Sequence, residues 1–215
     1  MLNAIPLFTN LNPMQLASIG EHLALRVYEK GECVLKEGEV GDSLYVILTG
    51  QVKIFSVDPV DPTREVILKT LGPGEFFGEL PLFDQEPRSA SVATMERCHL
   101  QILSYCAFRK AIEASPEIAQ RVMETLARRL RAATRKIGDL ALHDISSRVS
   151  RTLLELAIVS NGRRVVGEPF TQQDLANMIG ASREMVNRTL KDLEDGGYIS
   201  VERKSITILK DRMPS

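Results

Sequence analysis

The sequence predicts an α+β chain: an N-terminal β-barrel or jelly roll, then a long helix, then a C-terminal winged helix-turn-helix. Three observations carry this. Short apolar runs separated by glycines fill residues 24–103, an apolar stripe at helical spacing runs from about Pro116 to Leu142, and two capped amphipathic segments meet at Gly180.

The barrel comes first. Its expected strands are Ala24–Tyr28, Cys33–Leu35, Ser43–Leu48, Val52–Val57, Glu65–Thr70, Ser91–Thr94 and Leu100–Leu103, with glycines at 31, 38, 41, 50, 72, 74 and 78 between them. Many short strands at near-regular spacing argue for a barrel or jelly roll. A small helix at Met14–His22 precedes them, and Asp58–Pro62, with two prolines, reads as an exposed hairpin loop.

The segment GEFFGELPLFDQEPRSASV interrupts this strand rhythm. A short helix opening near Pro81 would turn backbone N–H groups toward an anion, and proline suits the first helical position because it has no N–H to leave unsatisfied. Arg88 can pair bidentately with a phosphate, Ser89 can add a hydroxyl donor, and Glu79 can accept from a ribose 2′-hydroxyl. The plainer alternative is a structural ion pair between Glu79 and Arg88 beneath a loop.

In the long helix, Leu126, Leu130, Ala133, Ile137 and Leu140 recur at spacings of four, three, four and three, the pattern of a coiled-coil seam, and Ile118 and Val122 extend it backwards. Arg128, Arg129, Arg131, Arg135 and Lys136 fall outside that seam. Such a helix can pack on its own barrel, but a stripe this narrow on a helix this long favours a partner helix, hence a two-fold homodimer through residues 116–142. Ile137–Asp144 is the expected hinge, with Gly138 and Asp139 as weak breakers and Asp144 capping the next helix, Ile145–Val159.

The C-terminal pair of helices is the most specific signal. Thr171 is placed as an N-cap, Asp174 completes a capping box, and Phe170 can staple onto Leu175. Leu175, Ala176 and Ile179 form a short apolar stripe, and Gly180 sits where a left-handed turn costs glycine least. Ser182 then caps a second helix whose Val186, Leu190 and Leu193 face inward, while Arg183, Glu184, Asn187 and Arg188 share the opposite face. An arginine fork can bond guanine O6 and N7 in a major groove, and a glutamate can accept from cytosine N4. Beyond Tyr198, strands Ile199–Glu202 and Ser205–Leu209 make a wing whose turn carries Arg203 and Lys204, placed to meet phosphate. With Thr171, Ser182 and Lys191 these complete the expected DNA-contacting set.

The run SREMVNRTLKDLE, with IGA before it and a short hairpin after it, resembles the DNA-binding domain of the Crp/Fnr family of transcription regulators. Gly78, Glu79, Leu80, Arg88, Ser89 and Ala90 resemble the phosphate-binding cassette of cyclic-nucleotide-binding domains. The resemblance covers essentially the whole chain. It implies an effector-binding barrel over residues 1–115, a dimerisation helix over 116–138 and a DNA-binding domain over 139–215. It also implies base reading by Arg183, Glu184 and Arg188 on a palindromic double-stranded site with a TGTGA-like half-site, and RNA polymerase as a further partner.

Two departures from the family pattern stand out. Where cyclic AMP receptors place two adjacent hydroxyl residues near the adenine, this chain has Ala133 and Thr134, so only one hydroxyl remains. Cyclic AMP is the first choice of effector on this resemblance, with cyclic GMP, cyclic di-GMP or an unrelated effector left open. At the wing turn Arg203 stands where the family often has glycine, which implies a looser turn.

Composition bounds the remainder. At 215 residues, 44% hydrophobic and 26% charged, the chain suits two modest domains. Its net charge is −1, and residues 139–215 hold 11 Lys plus Arg against 11 Asp plus Glu, so bulk charge alone does not indicate nucleic acid. No segment reaches about 18 uninterrupted apolar residues, and MLNAIPLFTN lacks a basic region leading into an apolar stretch. A soluble cytoplasmic protein is expected. Cys33, Cys98 and Cys106 are dispersed, without an N-terminal cluster for an iron-sulfur centre, and His22, His99 and His143 are isolated, so no metal is assigned.

Other classes fare less well. There is no nucleophile elbow and no GxxxxGK loop, which argues against an enzyme. A cyclic-nucleotide-binding module of an enzyme or channel would need the cassette alone and leaves the capped Arg-Glu helix unused. A constitutive DNA binder with a vestigial pocket would keep the helix and not the cassette.

Overall fold

The computed structural model describes residues 5–9, 13–20, 22–160, 162–167, 170–202 and 205–210, with only the backbone of 15–18. The elements run α1 (Pro13–Gly20), β1 (Leu23–Tyr28), β2 (Cys33–Leu35), β3 (Ser43–Thr49), β4 (Val52–Val57), β5 (Glu65–Leu71), β6 (Phe76–Phe77), α2 (Pro81–Asp84), β7 (Ser91–Thr94), β8 (Cys98–Ser104), α3 (Tyr105–Ala114) and α4 (Pro116–Leu142). There follow α5 (Ile145–Leu156), β9 (Ile158–Ser160), β10 (Arg163–Val166), α6 (Gln172–Ile179), α7 (Arg183–Asp195), β11 (Ile199–Glu202) and β12 (Ser205–Ile208). Two compact units result, Met1–Ser56 with Leu68–Arg131, and Val57–Ile67 with Ala132–Ser215.

The first unit holds, apart from Val57 of β4 and Glu65–Ile67 of β5, the strands of two four-stranded sheets, ordered β1-β8-β3-β6 and β2-β7-β4-β5. Period-two alternation along β3 explains how they pack. Ile47 points one way and joins Leu35, Val52, Leu71, Phe77, Val92, Cys98 and Leu100, drawn from both sheets, in a core between them. Leu44 and Val46 point the other way and join Phe76 and Leu103 beneath Phe8, Phe108, Ile118 and Val122. Both faces of β3 are thus covered, which is why its sequence is a nearly continuous apolar run. Each fully buried phenylalanine among these contributes about 1.5–3 kcal/mol of transfer free energy.

Several expectations are corrected here. Ile118 and Val122 do not extend the exposed seam: they lie at 0% and 1% exposure in the core that packs on the Leu44 and Val46 face of β3, against which Leu126 is also partly buried. Gly138 breaks nothing, since α4 runs through it to Leu142. The helix expected over Ile145–Val159 ends at Leu156, and Ile158–Ser160 is a strand instead. β6, α3 and β10 were not anticipated, and β10 pairs antiparallel with both β9 and β12. The two-residue β6 pairs Tyr45 with Phe77 and Val46 with Phe76, and α3 opens where Ser104 accepts from the Ala107 N–H.

In the second unit α5, α6 and α7 pack on a sheet ordered β11-β12-β10-β9, around Val149, Leu153, Leu175, Ala176, Ile179, Val186, Leu190, Leu193, Ile199 and Ile206. The hairpin segment of this unit reaches the helices through side chains. Lys136 Nζ donates to the Ile67 carbonyl at 2.8 Å, and Asn177 Nδ2 donates to Glu65 Oε1 at 2.8 Å. Burial lowers the Lys136 ammonium pKa from its usual range, opposed by the charge of Glu155.

Candidate functional site

Gly78 leaves β6 with φ +77, a conformation that disfavours any Cβ, and an added Cβ would also stand 2.7 Å from Arg88 Nη1. That close approach lets the chain turn directly over the guanidinium. Arg88 is 5% exposed and Glu79 3%. Arg88 Nη1 donates to the Gly78 carbonyl at 2.6 Å and Nη2 to the Ser43 carbonyl at 2.9 Å. A guanidinium has five N–H donors, so Nε–H and one N–H on each terminal nitrogen remain for an anion. Desolvation pulls the Arg88 pKa down, opposed by the nearby charges of Tyr45, Asp42, Glu79 and Glu39. Gly41 belongs to the same cradle, because a Cβ there would fall 2.7 Å from the Arg88 guanidinium carbon.

The plain Glu79–Arg88 ion pair weighed from sequence does not form. Glu79 instead pairs with Arg129 of α4, Nη1 to Oε1 at 2.6 Å, and Arg129 Nη2 donates to the Phe76 carbonyl. The Arg129 guanidinium also lies 5.0 Å from the Phe76 ring centroid. Arg129 Nε is buried without a partner. Sequence reading placed Arg129 only outside the apolar seam of the long helix. Its signal was present, since Arg129 and Lys136 are seven apart and both turn to carbonyls of the strand region rather than to water.

The other cassette residues are disposed less uniformly. Leu80 is exposed and precedes the single-turn helix α2, whose Leu82 and Phe83 N–H groups bond the carbonyls of Glu79 and Leu80. Ser89 is exposed and Ala90 half-buried, and Thr134 is exposed on α4. Inside the barrel Tyr45 stacks on Phe77 with centroids 5.2 Å apart, and burial raises the Tyr45 pKa above its usual value.

The helix-turn-helix forms as its sequence demands. The Asp174 N–H donates to Thr171 Oγ1 at 3.1 Å, and the Thr171 N–H returns to Asp174 Oδ2 at 2.9 Å. Phe170 and Leu175 join the same core. Gly180 takes φ +70, and the N–H groups of Gly180 and Ala181 both reach the Ala176 carbonyl. Ser182 Oγ accepts from the Met185 N–H at 3.2 Å to start α7. Val186, Leu190 and Leu193 are buried, whereas Arg183, Glu184, Asn187, Arg188 and Lys191 are all exposed on the opposite side. The wing strands pair antiparallel from Ile199 against Ile208 to Glu202 against Ser205. The expected phosphate contacts at Arg203 and Lys204 lie outside the described residues.

A cyclic nucleotide-binding domain model matches residues 25–115, and a Crp-like helix-turn-helix domain model matches residues 147–212. The chain belongs to the Crp/Fnr family of transcription regulators. It is 36% identical over 206 residues to the CRP-like cAMP-activated global transcriptional regulator of Mycobacterium tuberculosis strain H37Rv, covering 94% of this chain and 91% of that one. It is 34% identical over 198 residues to the cAMP-activated global transcriptional regulator CRP of Escherichia coli O157:H7, covering 89% and 92%. Among solved structures, the c-di-GMP responsive global regulator CLP of Xanthomonas campestris superposes with a TM-score of 0.79 at 28% identity, covering 93% of this chain and 100% of that one.

Membership in this family makes the chain a DNA-binding transcription regulator with a cyclic nucleotide-binding domain, and not an enzyme. Among the described residues no cluster of three or more His, Cys, Asp or Glu could hold a metal ion, and no helix is long and apolar enough to cross a membrane.

Proposed function

We propose that this chain is a cytoplasmic homodimeric regulator that binds a cyclic nucleotide at Gly78, Glu79, Leu80, Arg88, Ser89, Ala90 and Thr134. Through α7 it then reads a palindromic promoter, with RNA polymerase as a further partner. The observation that carries the sensing half is the buried Glu79 and Arg88 beside the half-buried Arg129, with an unsatisfied Arg129 Nε and spare donors on Arg88. Such groups fit a phosphate diester next to a ribose: Arg88 takes the phosphate charge-assisted, and Glu79 accepts a ribose hydroxyl. When a nucleotide is bound, its anionic phosphate supplies the counter-charge that this cradle of donors lacks.

A ribose hydroxyl that claims Glu79 competes for the carboxylate that holds Arg129, so ligand binding alters how α4 is fastened. The ligand acts through its differential affinity for the arrangements of the paired long helices, and thereby sets the placement of the recognition helices. On DNA, Arg183 and Arg188 take guanines and Glu184 a cytosine of a TGTGA-like half-site, with Thr171, Ser182, Asn187, Lys191 and Lys204 supporting.

Cyclic AMP is the first choice of effector, by likeness to the cAMP-activated relatives. Cyclic di-GMP is the second reading, favoured by the single hydroxyl at Ala133–Thr134 and by likeness to a c-di-GMP responsive regulator. Calorimetric titration with cyclic AMP, cyclic GMP and cyclic di-GMP decides between them, on wild type and on Arg88→Ala, with thermal melts to check that the variant folds. Saturable binding of one nucleotide, lost in a folded Arg88→Ala protein, is the expected result. No binding by any of the three would overturn the sensing half.

A further inference from the structure

Two asparagines lie within the helices of the helix-turn-helix, and only one is explained by the fold. Asn177 of α6 is 9% exposed, donates to Glu65 and accepts from Gln173 Nε2 at 2.8 Å. Asn187 of α7 is exposed and makes no side-chain hydrogen bond to any described residue. In a helix interior asparagine is a poor choice, because its amide competes with the backbone and favours caps and turns. Neither capping nor packing compensates at position 187, the fifth residue of α7, which is exposed beside the buried Val186 and Leu190.

The placement of Asn187 is informative. It stands one turn beyond Arg183, three residues after Glu184 and directly before Arg188, on the face that α7 turns to solvent. A carboxamide presents an acceptor and a donor side by side, the complement of adenine N6–H₂ and N7 at the major-groove edge. We infer that Asn187 is a specificity-determining residue that reads one adenine in each half-site, its Oδ1 accepting from N6 and its Nδ2 donating to N7. Asn187 and Arg188 are adjacent on α7, so that adenine is assigned beside the guanine taken by Arg188.

This inference rests on the recognition-helix reading proposed above, and the test separates the two. Full-length wild type, Asn187→Ala, Asn187→Asp and Arg183→Ala are used to select bound sequences from randomised duplexes, with each of the three cyclic nucleotides and without. Wild type is expected to select a palindrome with an adenine beside a guanine in each half. Asn187→Ala should lose the preference for that adenine by about 5- to 150-fold while keeping the guanines. Asn187→Asp keeps the shape but sets a carboxylate against N7, and should reject the adenine outright. Replacing the adenine by 7-deazaadenine should weaken wild type and leave Asn187→Ala unaffected.

If Arg183→Ala relaxes selection at a guanine while Asn187→Ala selects the wild-type site, this inference alone fails. If Arg183→Ala also selects the wild-type site, or wild type selects nothing, the recognition-helix reading fails and takes this inference with it. Loss of preference at a base other than adenine would likewise overturn the assignment.

Discussion

Glu79 and Arg129 form a buried ion pair at 2.6 Å that fastens the cassette turn after β6 to the middle of α4. The carboxylate is 4% exposed and the guanidinium 16%, so solvent screens the pair little. Two desolvated charges are costly to bury, and removing one partner strands the other, a loss of about 3–5 kcal/mol.

The pair therefore predicts a strong non-additivity. Glu79→Gln and Arg129→Met should each destabilise the first unit, and the double substitution should cost less than their sum by about 1–3 kcal/mol. Urea unfolding of the four proteins, followed by circular dichroism, measures the difference. Additive effects would mean that the two side chains do not depend on each other.

Much of this was legible in the sequence, because local chemistry dictated it. Thr171, Asp174, Gly180 and Ser182 each solve a backbone problem at a helix end, so α6 and α7 fall where capping and the left-handed turn put them. Ser91–Thr94 and Val52–Val57 were likewise fixed by the turns that bound them. What escaped depended on tertiary contact. Phe76–Phe77 counts as a strand only because β3 pairs with it, and Arg129 is unremarkable until the chain brings Glu79 to it. Ile118 and Val122 fit the periodicity of the exposed seam, and periodicity cannot tell a partner helix from the molecule's own barrel. At Ile158–Ser160 the apolar pattern suited either a helix end or a strand, and pairing with Arg163–Val165 decided for the strand.

The turn of the helix-turn-helix gives a second prediction. Gly180 holds φ +70, while an added Cβ would meet only Leu140 Cδ2 at an ordinary 3.8 Å. The cost of Gly180→Ala is thus conformational rather than steric, about 1–2 kcal/mol. Melting should fall by roughly 2–8 °C. Gly180→Asn should lose less, since asparagine tolerates the left-handed region better than alanine. Equal losses for the two would show that the φ of this residue is not what the turn requires.

The exposed apolar side chains of α4 give the third. With Ile118 and Val122 committed to the barrel core, the outward stripe is Met123, Leu130 and Ile137, seven residues apart, flanked by Leu140. Leu130 is 69% exposed and Ile137 68%, a poor placement for aliphatic side chains unless a second copy covers them. In the proposed dimer a glutamate at either position would be buried beside its symmetry mate, whereas in a lone chain it would sit in water. Leu130→Glu with Ile137→Glu should therefore leave the circular dichroism spectrum unchanged but convert a dimer to a monomer in sedimentation. A monomer meets one half-site at a time and forfeits the gain from linked binding, so affinity for the palindrome should drop by about 10²–10⁴-fold. Wild type sedimenting as a monomer at concentrations that saturate the DNA would defeat the prediction, because nothing would then bury the stripe when the protein binds.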